Sequence, residues 1–273
     1  MIVENAIKKF FHESEYFSIK HEKYFTVYER ILSKYRDKNI TFVEIGVKDG
    51  GSLFFLKKFL PKAKIIGIDL NSECKKFEKY GFNIEIGDQS SKKFWKKFFE
   101  KYDKVDVVLD DGGHTNEQQI NTVISCVPNI NDDGLLITED VMCSYLKDFG
   151  NPTKYSFINF SKKIIDDINY KFPDIGKFNY SLNDYIYSVE FFESMVVFKV
   201  NRELSFTNSM VTNNGKLLNH KDLRYNSKIN KKLFKNSFLL KIKIFRKINE
   251  IFIFYKMRFF NLYKSHKMKK YFQ

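Results

Sequence analysis

Short apolar runs alternate along this chain with longer stretches in which apolar residues return every three or four positions. Residues 2–38 are polar with aromatic punctuation, and Tyr16, Phe17, Tyr24, Phe25, Tyr28, Ile31 and Leu32 predict one or two helices leading into a core. Thr41 to Ser52 reads as a short apolar strand ending in a glycine-containing loop, followed by a helix over Leu53 to Leu60 that Pro61 closes. Lys64 to Asp69, Asn83 to Gln89, Val105 to Asp110 and Leu135 to Asp140 read as four more strands. Helical patterns fall at Lys92 to Tyr102, Glu117 to Val127 and Phe157 to Ile168, and Asp132-Asp133-Gly134 reads as a turn. Trp95, Phe98 and Phe99 share a helical face and are expected to pack in the core. Two β-rich runs, Tyr185 to Phe192 and Met195 to Val200, flank Glu193-Ser194 as a terminal hairpin.

This order predicts an α/β fold: a Rossmann-like, seven-stranded, mostly parallel sheet with a C-terminal antiparallel hairpin, an N-terminal helical segment and a basic helical C-terminal tail. At 273 residues the chain is long enough for one large domain with an appendage. The division expected is residues 1–215 as the main domain, with 1–38 as its lead-in, and 216–273 as the tail. Charge sharpens that boundary. Of the net +14, residues 216–273 carry seventeen Lys or Arg against Asp222 and Glu250, while residues 1–215 are close to neutral. Cys74, Cys126 and Cys143 are widely spaced and without C-x-x-C pairing, which argues against a disulfide framework or a zinc knuckle and fits a reducing cytoplasm. Neither a signal peptide nor a membrane-spanning run is expected.

The candidate chemistry gathers where strands end. Val108-Leu109-Asp110-Asp111-Gly112-Gly113-His114 delivers two carboxylates and a histidine into a tight turn, which reads either as a reactive site or as an acidic turn before a helix N-cap. Gly46-x-x-x-Gly50-Gly51 is neither the dinucleotide fingerprint nor a P-loop, so a nucleotide-phosphate cradle is disfavoured. Asp69, about two dozen residues after Gly46, suits the hydroxyls of a ribose at the first strand's end. Asp88 and Gln89 end the third strand and suit either an adenine edge or a solvated loop. In a parallel sheet the carboxyl ends of neighbouring strands share a rim, so Asp110, Asp111, His114, Glu139 and Asp140 are expected to converge. Crowded carboxylates need a cation among them, and a hard divalent ion such as Mg²⁺ is the economical choice.

Several motifs together carry a resemblance. V-E-I-G-V-x-x-G-G-S at Val43 to Ser52 resembles the class I S-adenosylmethionine-dependent methyltransferases. E-K-Y-F-x-x-Y-E-R (Glu22 to Arg30), I-G-D-Q (Ile86 to Gln89), D-D-G-G-H-x-x-E-Q-Q (Asp110 to Gln119) and I-T-E-D-V (Ile137 to Val141) are similar to the metal-dependent macrolide-sugar O-methyltransferases, a group related to the cephalosporin hydroxylase and rhamnosyl O-methyltransferase families. The resemblance covers roughly residues 18–150. It implies S-adenosylmethionine and Mg²⁺ as cofactors. Glu44, Gly46 and Asp69 would hold the methionine and ribose parts of the donor, Asp88 and Gln89 would flank the adenine, and Asp110 would support the donor site. Asp111, Glu139 and Asp140 would ligate the ion and His114 would be the general base. Tyr24 and Tyr28 match a segment that folds over the donor or acceptor in the relatives.

The expected activity is methyl transfer to a sugar hydroxyl in surface-polysaccharide assembly, on a nucleotide-, lipid- or polymer-linked acceptor; the alternatives are small-molecule O-methylation and a nucleic-acid- or membrane-binding protein on the same scaffold. In the tail Phe234, Phe238, Ile242, Phe245, Ile248, Phe252, Tyr255 and Phe259 recur at helical spacing, with Lys243, Arg246, Lys247 and Glu250 off that face. Packing on the main domain or a second subunit, an anionic membrane surface and a nucleic acid compete as its partner. The near-neutral main domain disfavours nucleic acid. A homo-oligomer and a cytoplasmic location, peripheral at the inner membrane face, complete the expectation.

Overall fold

The computed structural model describes residues 5–169, 180–206, 208–209, 211–213, 215 and 241–272. Contacts divide the chain into two units, Met1–Ser209 and Met210–Gln273. In the first unit the helices α1 (Ala6–His12) and α2 (Glu22–Leu32) precede the strand β1 (Thr41–Ile45). There follow α3 (Gly51–Phe59), β2 (Lys64–Asp69), β3 (Asn83–Ile86), α4 (Lys92–Tyr102), β4 (Val105–Asp110), α5 (Asn116–Cys126), β5 (Ile130–Thr138), α6 (Phe157–Asn169), β6 (Ile186–Phe192) and β7 (Met195–Val200).

The strands form one sheet in the order β3-β2-β1-β4-β5-β7-β6. The first five are parallel, and β7 is antiparallel to both of its neighbours. This is the sheet expected from the alternating pattern, reversed strand included. The link from β2 to β3 is a run of 3₁₀ turns, Ser72–Tyr80. One detail differs. The supposed turn at residues 132–134 lies inside β5, where Asp133 takes a φ of 63° and the pairing with β4 shifts register. An irregularity of this kind lets turn-forming residues sit within a paired strand.

Side chains alternate across the sheet and give it two apolar faces. Phe42, Leu109 and Ile137 pack with α2 and α3 through Tyr28, Leu32, Phe55 and Phe59. Val43, Ile45, Val108 and Leu136 pack with Trp95, Val123, Phe157 and Ile164 on the other face. Trp95 and Phe98 are thus core residues, with Phe99 packed beside them. The strand order reverses direction between β1 and β4, so their carboxyl ends open a crevice in which α/β sheets bind ligands.

In the second unit residues 211–213, 215 and 241–272 are described, and among them lies one long helix, α7 (Lys243–Met268). Phe234 and Phe238, predicted to extend its apolar face, lie outside the described residues.

Candidate active site

At the crevice a cavity of about 500 Å³ is lined by the ends of β1, β2 and β4, by the turn after β4, by Asp140 and by residues 17–19. That volume suits a small organic ligand. Of the residues singled out from sequence, Gly46, Asp69, Gln89, Asp111, His114 and Asp140 are on its wall. Gly46 has a φ of +91°, and a Cβ there would lie 2.1 Å from the Asp111 carbonyl oxygen, so any larger residue would push apart the two strand ends that form the wall. Asp69 accepts from the Lys48 N–H at 2.9 Å and the Asn71 N–H at 2.8 Å, which ties the β1 loop to the β2 loop.

The Asp-Asp-Gly-Gly-His turn is held from below. Gln89 Nε2 donates to Asp110 Oδ1 at 2.9 Å and to Thr122 Oγ1 at 3.1 Å, while Gln89 Oε1 accepts from the Gly113 N–H at 3.0 Å. Asp110 is buried, and burial pushes its carboxyl up to about 6 against the hydrogen bonds from Gln89 and Gly112. These two residues set the turn's shape. Asp88 accepts from the Ser90 N–H at 2.8 Å and shapes the loop after β3. The alternative reading of the turn is also realised, since Thr115 caps α5 in a reciprocal pair with Gln118.

Asp111, His114 and Asp140 each offer a ligand atom, and these atoms lie within 4.8 Å of one another. His114 Nε2 is 3.9 Å from Asp111 Oδ1 and 3.5 Å from Asp140 Oδ2. Both His114 and Asp140 have positive φ, 58° and 53°, conformations uncommon for residues with a Cβ. Such strain persists where the surroundings over-determine it, and here it aims both side chains into one cluster.

Glu139 is placed differently. It is buried, Tyr28 donates its hydroxyl proton to Oε1, and Lys20 donates to Oε2 at 2.8 Å. Lys20 also donates to Asp111 Oδ2 at 2.5 Å, with its own side chain only 2% exposed. Burial opposes the ammonium, but the charges of Glu139, Asp111 and Glu44 outweigh it and hold Lys20 above the ordinary lysine range. Glu139's own carboxyl is raised by burial, with Lys20 opposing. Tyr24 donates to Asp140 Oδ1 at 2.7 Å, so both tyrosines of α2 grip the acids that follow β5. Glu44 lies buried on β1, and burial pushes its carboxyl up to about 7 against the opposing charge of Lys20 and a hydrogen bond from Ser52.

Lys20 belongs to a strap that crosses the cavity. Gly51 donates its N–H to the Phe17 carbonyl at 3.2 Å, and a Cβ on Gly51 would come within 2.2 Å of that oxygen, so a glycine is needed for the strap to seat. Tyr16 stacks on Phe54 at 3.7 Å, Phe17 to Ile19 line the cavity, and Lys20 then turns inward to the acids. Nothing local in the sequence marks this lysine.

No protein-family profile matches the chain. Among curated proteins it is similar to the 8-demethyl-8-alpha-L-rhamnosyl tetracenomycin-C 2'-O-methyltransferase of Streptomyces olivaceus, 27% identical over 158 residues that cover 54% of this chain and 41% of that protein. It is similar to the mycinamicin VI 2''-O-methyltransferase of Micromonospora griseorubida, 30% identical over 156 residues, 53% of this chain and 39% of that one. The demethylmacrocin O-methyltransferase of Streptomyces fradiae is 26% identical over 156 residues, 53% and 39% of the two chains. The chain thus spans about two fifths of the length of the curated relatives it matches. Among solved structures, the MycE methyltransferase of the mycinamycin biosynthetic pathway, in complex with Mg and SAH, aligns with a TM-score of 0.63 at 22% identity, covering 72% of this chain and 54% of that one. The chain has the fold of the class I S-adenosylmethionine-dependent methyltransferases, and over about half its length it is similar to proteins named as O-methyltransferases.

Proposed function

We propose that the chain transfers a methyl group from S-adenosylmethionine to a hydroxyl of a sugar, with a divalent cation, Mg²⁺, at the acidic cluster. The observation that carries this reading is the meeting of Asp111, His114 and Asp140 on the wall of a cavity at the β1/β4 crevice. The residues fit both groups. The two carboxylates, Asp111 and Asp140, offer oxygen ligands suited to a hard cation that keeps several waters, and His114 stands beside them. Asp69 at the end of β2 suits a ribose, and the buried Glu44 beside the glycine loop is a carboxyl that an incoming ammonium, such as the amine of the donor's methionine part, would ionise and pair with.

The donor supplies an electrophilic methyl on sulfur, and a bound Mg²⁺ would be held by Asp111 and Asp140 and make a coordinated hydroxyl more acidic. The remaining work belongs to the chain. His114 accepts the hydroxyl proton at Nε2, and the neighbouring carboxylates stabilise the imidazolium that results. The hydroxyl oxygen forms its bond to the methyl carbon as the carbon–sulfur bond breaks, which demands close, in-line approach. The strap at Phe17 to Ile19 walls the cavity and limits water around that line. Glu139, engaged by Lys20 and Tyr28, can join an ion only if Lys20 yields.

The acceptor class favoured is the sugar of a small glycoside, because the relatives are named for such substrates. This reverses the preference for surface polysaccharide drawn from the sequence. The test is methyl transfer by the purified chain to a panel of small glycosides, nucleotide sugars and polysaccharide repeats, with and without EDTA. Metal-dependent turnover on a glycoside is expected; turnover indifferent to EDTA would remove the ion from the reading, and turnover on polysaccharide repeats alone would restore the other acceptor.

A further inference from the structure

The second unit presents an exposed apolar and basic helix. Along α7, Ile244, Ile248, Ile251, Tyr255, Phe259 and Leu262 follow one another at steps of three or four and are 42% to 76% exposed. At about 100° per residue they fall within a single stripe roughly a quarter of the circumference wide. Phe252 and Tyr263 widen it and are exposed as well. Lys243, Arg246, Lys247 and Arg258 are exposed on the remainder. Residues 241–272 hold ten lysines or arginines and one acid, Glu250. Helix α7 is 26 residues long, about 39 Å at 1.5 Å per residue. No helix among the described residues is long and apolar enough to cross a membrane.

We propose that α7 lies flat on an anionic lipid surface, its apolar stripe at the acyl boundary and its cations among the headgroups. Both halves of the observation are needed. A polyanion such as a nucleic acid would neutralise the lysines and arginines and leave the bulky stripe in water. A second copy of the same helix would cover the stripe and bring two strongly basic rods together, where like charges repel. A negatively charged bilayer satisfies both faces at once, and isoleucine, phenylalanine and tyrosine on one side with lysine and arginine on the other is the composition of an interfacial helix. Such a helix responds to salt through its cations and to side-chain truncation through its stripe. The proposal is independent of the methyl-transfer reading and stands or falls without it.

The test is flotation of the full chain with vesicles of phosphatidylcholine alone and with about a third phosphatidylglycerol. Binding at least about tenfold stronger to the anionic vesicles is expected, weakened several-fold by about 0.5 M NaCl. The double substitution Tyr255→Ser, Phe259→Ser changes exposed positions and is expected to abolish flotation while circular dichroism and donor binding stay unchanged. A Tyr255→Trp chain is expected to show a blue-shifted emission with anionic vesicles, since the chain's single tryptophan, Trp95, is buried in the first unit. Equal recovery with and without anionic lipid, salt-sensitive binding to duplex nucleic acid in place of vesicles, or a self-association that the double substitution abolishes in lipid-free buffer would each overturn the proposal.

Discussion

Replacing Lys20 with methionine tests the electrostatic design of the site most directly. The substitution keeps an apolar stem and removes an ammonium that sits 2.5 Å from Asp111 Oδ2 and 2.8 Å from Glu139 Oε2. Both Lys20 and Glu139 have side chains at most 2% exposed, so water cannot take over the lost contact. Removing one partner of a buried ion pair costs about 3–5 kcal/mol, most of it the cost of the charge left behind. Asp140 stands close by and adds repulsion. Burial already raises the Glu139 carboxyl with Lys20 opposing, so loss of the lysine raises it further and lets a proton replace the ammonium in acid. The destabilisation of Lys20→Met is therefore expected to be full at pH 8 and smaller at pH 5. A divalent ion drawn to the same carboxylates supplies the missing charge by another route, worth about 2.7 kcal/mol at a hundredfold excess over its Kd. The measurement is urea unfolding of the full chain and the variant at both pH values, with and without Mg²⁺. A loss under about 1 kcal/mol at pH 8, or a loss independent of pH and of Mg²⁺, would refute the assignment of Lys20 as the site's internal counter-ion.

Glu44→Gln acts in the opposite direction: a carboxyl raised from 4.5 to about 7 by burial makes the folded state lose stability as pH rises through that window, by about 3 kcal/mol in all. The glutamine variant should therefore match the parent near pH 4.5 and exceed it at pH 8 in donor-free denaturation, while its donor affinity falls in calorimetry; unchanged values in both assays would count against Glu44 as a donor-site charge. His114→Ala should lower turnover about 10²- to 10⁴-fold with donor affinity nearly intact. Its Mn²⁺ affinity, read by electron paramagnetic resonance, separates two roles, since near-parental affinity identifies a base and a loss of about tenfold or more identifies a ligand. Tyr28→Phe removes the hydroxyl that donates to Glu139 and should cost about 1–3 kcal/mol of stability in urea unfolding, with little change in donor affinity.

What the sequence makes legible here follows from the range of the interactions involved. Strand ends are local facts: Asp69, Asp110 and Thr138 close apolar runs, and parallel pairing brings such ends to one rim. The rim acids were therefore expected together, and Asp111, His114 and Asp140 do meet there. The partition among the acids was not local. Asp110 and Asp111 are neighbours in sequence, yet one is fixed beneath the turn by Gln89 and the other faces the cavity. Glu139 and Asp140 divide likewise, because Tyr28 and Lys20 hold the first while a left-handed backbone turns the second toward His114.

Lys20 marks the limit of such reading. Its partners stand 91 and 119 residues away, and only the path of the strap over Gly51 brings them together. Composition hid it further, since in a chain with 47 lysines and arginines one more lysine carries no signal. The expectation that crowded carboxylates need a cation was sound physics with an incomplete list of cations. An ammonium carried by the chain offsets one of the two charges of Asp111 and Glu139, and that leaves Asp140, with the outward oxygen of Asp111, to attract a divalent ion from solution. A strap anchored by that same ammonium also forms part of the cavity wall, so the group that balances the acids is the group that keeps Phe17 to Ile19 over the site.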